Sequence, residues 1–256
     1  MNVQGRDILI GTLAAIVVGV AAIGIAMGLP GLQPPPQATR EGTDAELRYA
    51  CSADHASFTI ADLLNAPAAD AADDAAAELL RMVIAEGFLP VEGWRRVVDG
   101  PEEVVFLSEA GIEGAPHAVV HVVPGQAGAL LLDGWAVDSY GACTPRPVVP
   151  DEVSVADWWV APAPIRPDSD SIPTLVHERA CASGQDAEGR ILPPTIIYGQ
   201  TAVTITIVVQ LREGAQDCQG NPLTPYTIEL TEPLGDRTLL DGGQLPPGDP
   251  FDDPDT

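Results

Sequence analysis

Apolar and polar positions divide this chain into segments of different period. Ile8 to Leu29 is an unbroken apolar run without a charge. A helix through it would extend about 30 Å, the thickness of a bilayer core. The core of a cleaved leader is shorter, about 7–15 residues, and ends at a small-residue cleavage site. Here the small-x-small sites, such as Ala22-Ile23-Gly24, lie inside the run. The expectation is therefore an uncleaved transmembrane signal anchor over residues 8–29, with a cleaved signal as the alternative. Residues 1–7 become a cytoplasmic N-terminus, because Arg6 is the only cation before the run and favours that side. Pro30 and Pro34-Pro35-Pro36 stop the helix and continue as an extended stalk over residues 30–48.

A first module is expected over residues 49–145. It opens with a short mixed stretch, Ser57 to Leu64. Asn65-Ala66-Pro67 signals a helix start, with Asp70, Asp73 and Asp74 in the early turns, where carboxylates suit the helix dipole. Ala76, Leu79, Leu80, Val83 and Ile84 form a stripe at helical spacing, and Gly87 is placed to end the helix. Strand-like segments follow near Gly93–Val98, Glu102–Ser108, His117–Val123 and Ala129–Asp138, separated by Asp99-Gly100 and Pro124-Gly125. One helix plus an antiparallel meander is an α+β pattern.

Residues 146–174 are proline-dense and read as a linker of limited flexibility. Trp158-Trp159 in its middle suggests that one ring docks on a neighbouring module, with an exposed aromatic platform for a carbohydrate or peptide partner as the alternative. Residues 175–243 read as a small all-β module. In it Val203, Ile205, Ile207, Val209 and Leu211 alternate with Thr204, Thr206, Val208 and Gln210. Thr195–Tyr198 precedes that strand through a Gly199-Gln200 hairpin turn. Leu175–Ala180, Tyr226–Leu230 and Thr238–Leu240 supply further strands, and Pro222 and Pro225 suggest an edge position. The acidic tail, residues 244–256, has little to bury and reads as disordered.

Charge narrows the functional classes. The formal net charge is −25, and all 12 cations are arginine. Without lysine there is no Schiff-base amine, no Walker-type phosphate lysine and no Ser-Lys dyad. Nucleic acid is excluded as a partner, since its binding depends on cations that neutralise phosphates. The four cysteines, Cys51, Cys143, Cys181 and Cys218, fit two disulfides of an exported chain. Three pairings exist. Cys51–Cys143 with Cys181–Cys218 is preferred, because each pair brackets one module. Zinc would require closer spacing.

Recognisable chemistry is otherwise thin. No G-x-S-x-G, H-E-x-x-H, G-x-G-x-x-G or phosphate loop is present, and no cofactor or metal is expected. His117 and His121 point to one face of a strand, about 13 Å apart along the backbone, too far for easy sharing of one ion. His55 reads as a loop residue. Paired acids such as Glu102-Glu103 carry no weight in so acidic a chain. A candidate polar cluster comprises His177, Glu178, Arg179, Asp236 and Arg237, either as local ion pairs ordering turns or as an acid–base pocket.

Val176-His177-Glu178-Arg179-Ala180-Cys181-Ala182-Ser183-Gly184 resembles a segment found in exported proteins of high-GC Gram-positive bacteria. The similarity continues through Gly189-Arg190-Ile191, Ile196–Val208, Cys218-x-Gly220-Asn221-Pro222, Glu232–Arg237 and Leu240–Gly243. It covers roughly residues 175–243 and implies the Cys181–Cys218 pairing. It implies no activity, because none is known for the group. The sequence thus leads to a membrane-anchored extracytoplasmic protein, with the lipid bilayer as partner through residues 8–29. Its body is expected to be a non-catalytic binding or accessory module for an envelope protein or glycan. A wall-associated hydrolase and a sensor or regulatory ectodomain are the alternatives.

Overall fold

The computed structural model describes residues 40–41, 47–125 and 130–251. The expected signal anchor lies outside them, as do residues 1–7 and most of the stalk. Among the described residues no helix is long and apolar enough to cross a membrane. What is described is a β-rich fold with two α-helices.

The first half opens with strands β1 (Arg40–Glu41), β2 (Arg48–Ala50) and β3 (Phe58–Thr59), then helix α1 (Ile60–Asn65). A capping box starts α1: Asp62 N donates to Thr59 Oγ1, and Thr59 N donates to Asp62 Oδ2. Pro67 ends this stretch rather than starting the next helix. The residue before a proline avoids the helical region, and Ala66 is accordingly extended, at φ −58° and ψ 132°. The main helix, α2 (Ala75–Ala85), begins later than the sequence signal suggested. Its N-cap is Asp74, whose carboxylate accepts from Ala77 N at 2.9 Å. Gly87, at φ +84°, lies just beyond its end, as a left-handed terminator should.

Three antiparallel strands follow in the expected places, β4 (Trp94–Asp99), β5 (Val104–Ser108) and β6 (His117–Pro124); the fourth, expected over Ala129–Asp138, starts later as β8 (Trp135–Cys143), with the short β7 (Leu131–Leu132) before it at the edge. The sheet order is β4-β5-β6-β8-β7. Leu79, Leu80 and Val83 of α2 pack on one face against Val104, Phe106, Val120 and Val122. The opposite face buries Val105, Leu107 and Val119 with Tyr49 and Phe58. Both faces of β5 are therefore covered, which explains its continuous apolar run.

The second half contains β9 (Arg146–Pro147), β10 (Val153–Val155), β11 (Asp157–Val160), β12 (Ser171–His177), β13 (Thr195–Tyr198), β14 (Ala202–Thr206), β15 (Val208–Gln210), β16 (Thr224–Glu229) and β17 (Thr238–Asp241). The sheets β11-β12-β16 and β1-β13-β14-β17 contribute to one apolar cluster, with Trp158, Ile172, Val176 and Ile228 meeting Ile196, Val203 and Ile205. As expected, β16 is an edge strand. The β13–β14 turn sits one position later than expected, on Gln200-Thr201, because Gly199 N pairs with Ala202 O.

Two segments differ from the sequence reading. Residues 146–174 form no free linker: they supply β9, β10, β11 and the start of β12. Trp158 is 1 % exposed, and its indole N–H donates to Ile205 O. Pro162, Pro164 and Pro167 fall between β11 and β12, where no ladder hydrogen bond is lost. The tail is also ordered in part. Leu245 is buried and donates its N–H to Pro145 O, and Pro250 O accepts from Val160 N. Residues 252–256 lie outside the description.

Both disulfides form with the preferred pairing. Cys51–Cys143 spans 5.4 Å between Cα atoms and Cys181–Cys218 spans 4.5 Å.

Candidate functional site

The densest group of chemistry-bearing side chains gathers beside the Cys51–Cys143 bond. Four separate stretches build it. His121 stands on β6 and is 3 % exposed. Asp138 and Ser139 come from β8. The register places His121 opposite Ser139 and Val122 opposite Val137, so Asp138 is the extra residue of a bulge. A bulge re-aims side chains, and here it turns the Asp138 carboxylate toward His121. Glu103 lies in the turn before β5. His55 sits in the loop after β2, held against β8 by the disulfide.

Both ring nitrogens of His121 face carboxylates. Nε2 is 2.9 Å from Glu103 Oε2, and Nδ1 is 3.1 Å from Asp138 Oδ2. Glu103 Oε2 also accepts from Ala56 N at 2.7 Å, which ties the His55 loop to the β5 turn. The His55 ring lies 4.2 Å from that of His121. Its Nε2 is 3.0 Å from Ser139 Oγ, whereas Nδ1 is buried with no hydrogen-bond partner. Burial lowers the pKa of His55 below the ordinary imidazole value, and the His121 charge adds to that. Asp138, Glu103 and Asp54 oppose the shift. One donor atom each from His55, His121 and Asp138 lies within 4.8 Å of the others.

No family model, curated protein or solved structure matches this chain. The site's chemistry therefore rests on its own geometry.

His55 also lines a cleft of about 980 Å³ with Ser52, Ser57, Thr144, Arg146 and Arg179. Arg146 and Arg179 share one carboxylate, donating to Asp157 Oδ1 at 3.0 Å and Oδ2 at 2.8 Å.

The cluster suggested by the sequence around His177 is not assembled. Glu178 is 1 % exposed and pairs bidentately with Arg190, at 2.7 and 2.5 Å. Arg179 goes to Asp157. Arg237 pairs with Glu232 at 2.6 Å and lies over the Tyr198 ring. The His177 ring lies tilted 6.4 Å from that of Trp159, and Asp236 is exposed in a turn. His117 is likewise occupied locally, 2.9 Å from Ser108 O. His55, Glu103 and Asp138 escaped the sequence reading because each looked ordinary alone. The pairing of Cys51 with Cys143 was the available signal, since it brings the segment after Cys51 alongside the strand that carries Asp138 and Ser139.

Proposed function

We propose that this chain is a membrane-tethered extracytoplasmic protein whose body is a non-catalytic binding or accessory module of the bacterial cell envelope. The observation that carries the reading is the pair of disulfides, which persist in oxidising compartments and are rare where thiols are kept reduced. The apolar run Ile8–Leu29 supplies the tether. The Arg146/Arg179 cleft supplies a concave face for an envelope protein or glycan. Of the side chains on which a hydrolase reading would have rested, Glu178 and Arg179 are each held by a separate partner, as is the neighbouring Arg237, which supports a non-catalytic role.

Carbonate extraction of membranes combined with thiol counting tests this reading. The full-length chain should remain in the pellet, and non-reduced protein should show no free thiol. Release of a shortened soluble form would replace the tether with a cleaved signal. A stoichiometric reactive thiol would overturn the compartment assignment.

A further inference from the structure

We propose that His55, His121 and Asp138, oriented by Glu103 and Ser139, form a site for one first-row divalent transition ion of the Zn²⁺ class. This inference does not depend on the tethered-module reading.

The donor set carries the choice of ion. Two imidazoles and a carboxylate suit zinc, cobalt, nickel or copper, whereas calcium and magnesium take oxygen ligands. The surroundings match what a metal-ligating histidine needs. Such a ring commonly gives its second nitrogen to a carboxylate or another polar group, which fixes the tautomer and the ring plane. Glu103 does this for His121 Nε2, and Glu103 is itself held by Ala56 N. Ser139 Oγ does it for His55 Nε2. Each imidazole then has one nitrogen left. That of His121 faces Asp138 Oδ2 at 3.1 Å, and that of His55 is buried without a partner. With Nε2 donating to Glu103, a neutral His121 turns the lone pair of Nδ1 against a carboxylate oxygen. A cation between them turns that repulsion into two bonds.

The separations are close to those required. Donors about 2.0–2.1 Å from a tetrahedral zinc lie about 3.4 Å apart. One donor atom from each of the three side chains lies within 4.8 Å of the others, so the widest gap has to close by at most about 1.4 Å. His55 stands on a loop, and the Asp138 side chain is 52 % exposed, so small shifts of these two groups can close that gap. All four cysteines are in disulfides, so thiolates do not compete for the ion. The competing account is an ion pair: a doubly protonated His121 donates to Glu103 and Asp138, and no metal binds.

The test uses the full chain in detergent micelles, with disulfides intact and after chelator treatment, titrated with Co²⁺ alone and read by visible d–d absorption. One saturable equivalent is expected, displaced by Zn²⁺ and not by excess Ca²⁺. H55Q and D138N should each weaken Co²⁺ binding tenfold or more, and E103Q by about 10–100-fold. D236N, in an exposed turn, should leave the affinity unchanged. Because His121 is buried and its replacement endangers folding, H55Q and D138N decide the matter. Absence of a saturable equivalent, unchanged affinity in both variants, equal loss in D236N or displacement by Ca²⁺ would each overturn the proposal.

Discussion

Replacing Asp241 with asparagine should make this protein more stable at neutral pH. Asp241 closes β17 and is 9 % exposed. Burial pushes its carboxyl up from 3.8 to about 6. The Gly243 N–H, donating to Oδ1 at 2.8 Å, works against that rise, as do the Trp158 indole and Arg146, while the Asp157 charge reinforces it. Below pH 3.8 the group is protonated in both folded and unfolded chains, and its burial costs nothing extra. Between 3.8 and about 6 the unfolded chain releases the proton while the folded chain keeps it. The folded state then binds more protons, so stability falls as pH rises through this window and levels off above it. At 1.36 kcal/mol per tenfold change in proton affinity, the full loss is about 3 kcal/mol. The asparagine side chain does not titrate. It keeps the acceptor for Gly243 N and adds an amide N–H₂ whose imperfect pairing costs about 1 kcal/mol. The variant should therefore be close to wild type or slightly weaker at pH 3, and about 2 kcal/mol more stable at pH 7.5. Urea unfolding across pH 3–8, with disulfides intact and tryptophan fluorescence as the probe, measures this directly. A pH-independent difference, or a less stable variant at pH 7.5, would refute the argument.

Arg190→Gln should cost about 3–5 kcal/mol, because it strands the Glu178 carboxylate in a buried position; an unchanged urea midpoint would count against the buried pair. Removing Cys51 and Cys143 together should cost about 4.6 kcal/mol, and removing Cys181 and Cys218 about 3.8 kcal/mol, since the sequence separations are 92 and 37 residues. Thermal midpoints of the two double-alanine variants would show the order, and a reversal would mean that loop length does not govern the effect. Gly111→Ala should destabilise by about 1–3 kcal/mol, because the new methyl would meet Ala115 O at 2.1 Å and the Pro116 carbonyl at 3.1 Å. Gly220→Ala, with nothing within 4 Å and no positive φ, is its tolerated control in the same melting assay.

Three strands of the first sheet, β4, β5 and β6, were legible because short apolar runs were bounded by turn residues, while β8 starts later than its apolar stretch suggested. The helix was legible in its apolar face but not in its start. Pro67 and Asp74 are both good N-terminal signals, and only the chain's path decides between them. The run from Pro145 to Pro173 misled for a comparable reason. Proline density describes what a segment cannot donate, and here most of those prolines fall outside the ladders. Trp158-Trp159 carried the better information, since a free linker has nowhere to bury an indole.

The candidate site was less legible than the fold, because its members are distant in sequence and become neighbours through two local devices. The first is the Cys51–Cys143 bond. It holds the loop that bears His55 against the end of β8, so pairing the cysteines also pairs that loop with Asp138 and Ser139. The second is the bulge at Asp138. Strict alternation would send Asp138 and Ser139 to opposite faces of the sheet, and period-two reasoning would have separated them. One extra residue in β8 brings Asp138 to His121 while Ser139 still meets His55. A bulge leaves little trace in side-chain identity, so the convergence of two histidines and two carboxylates becomes visible only in the register of β6 against β8.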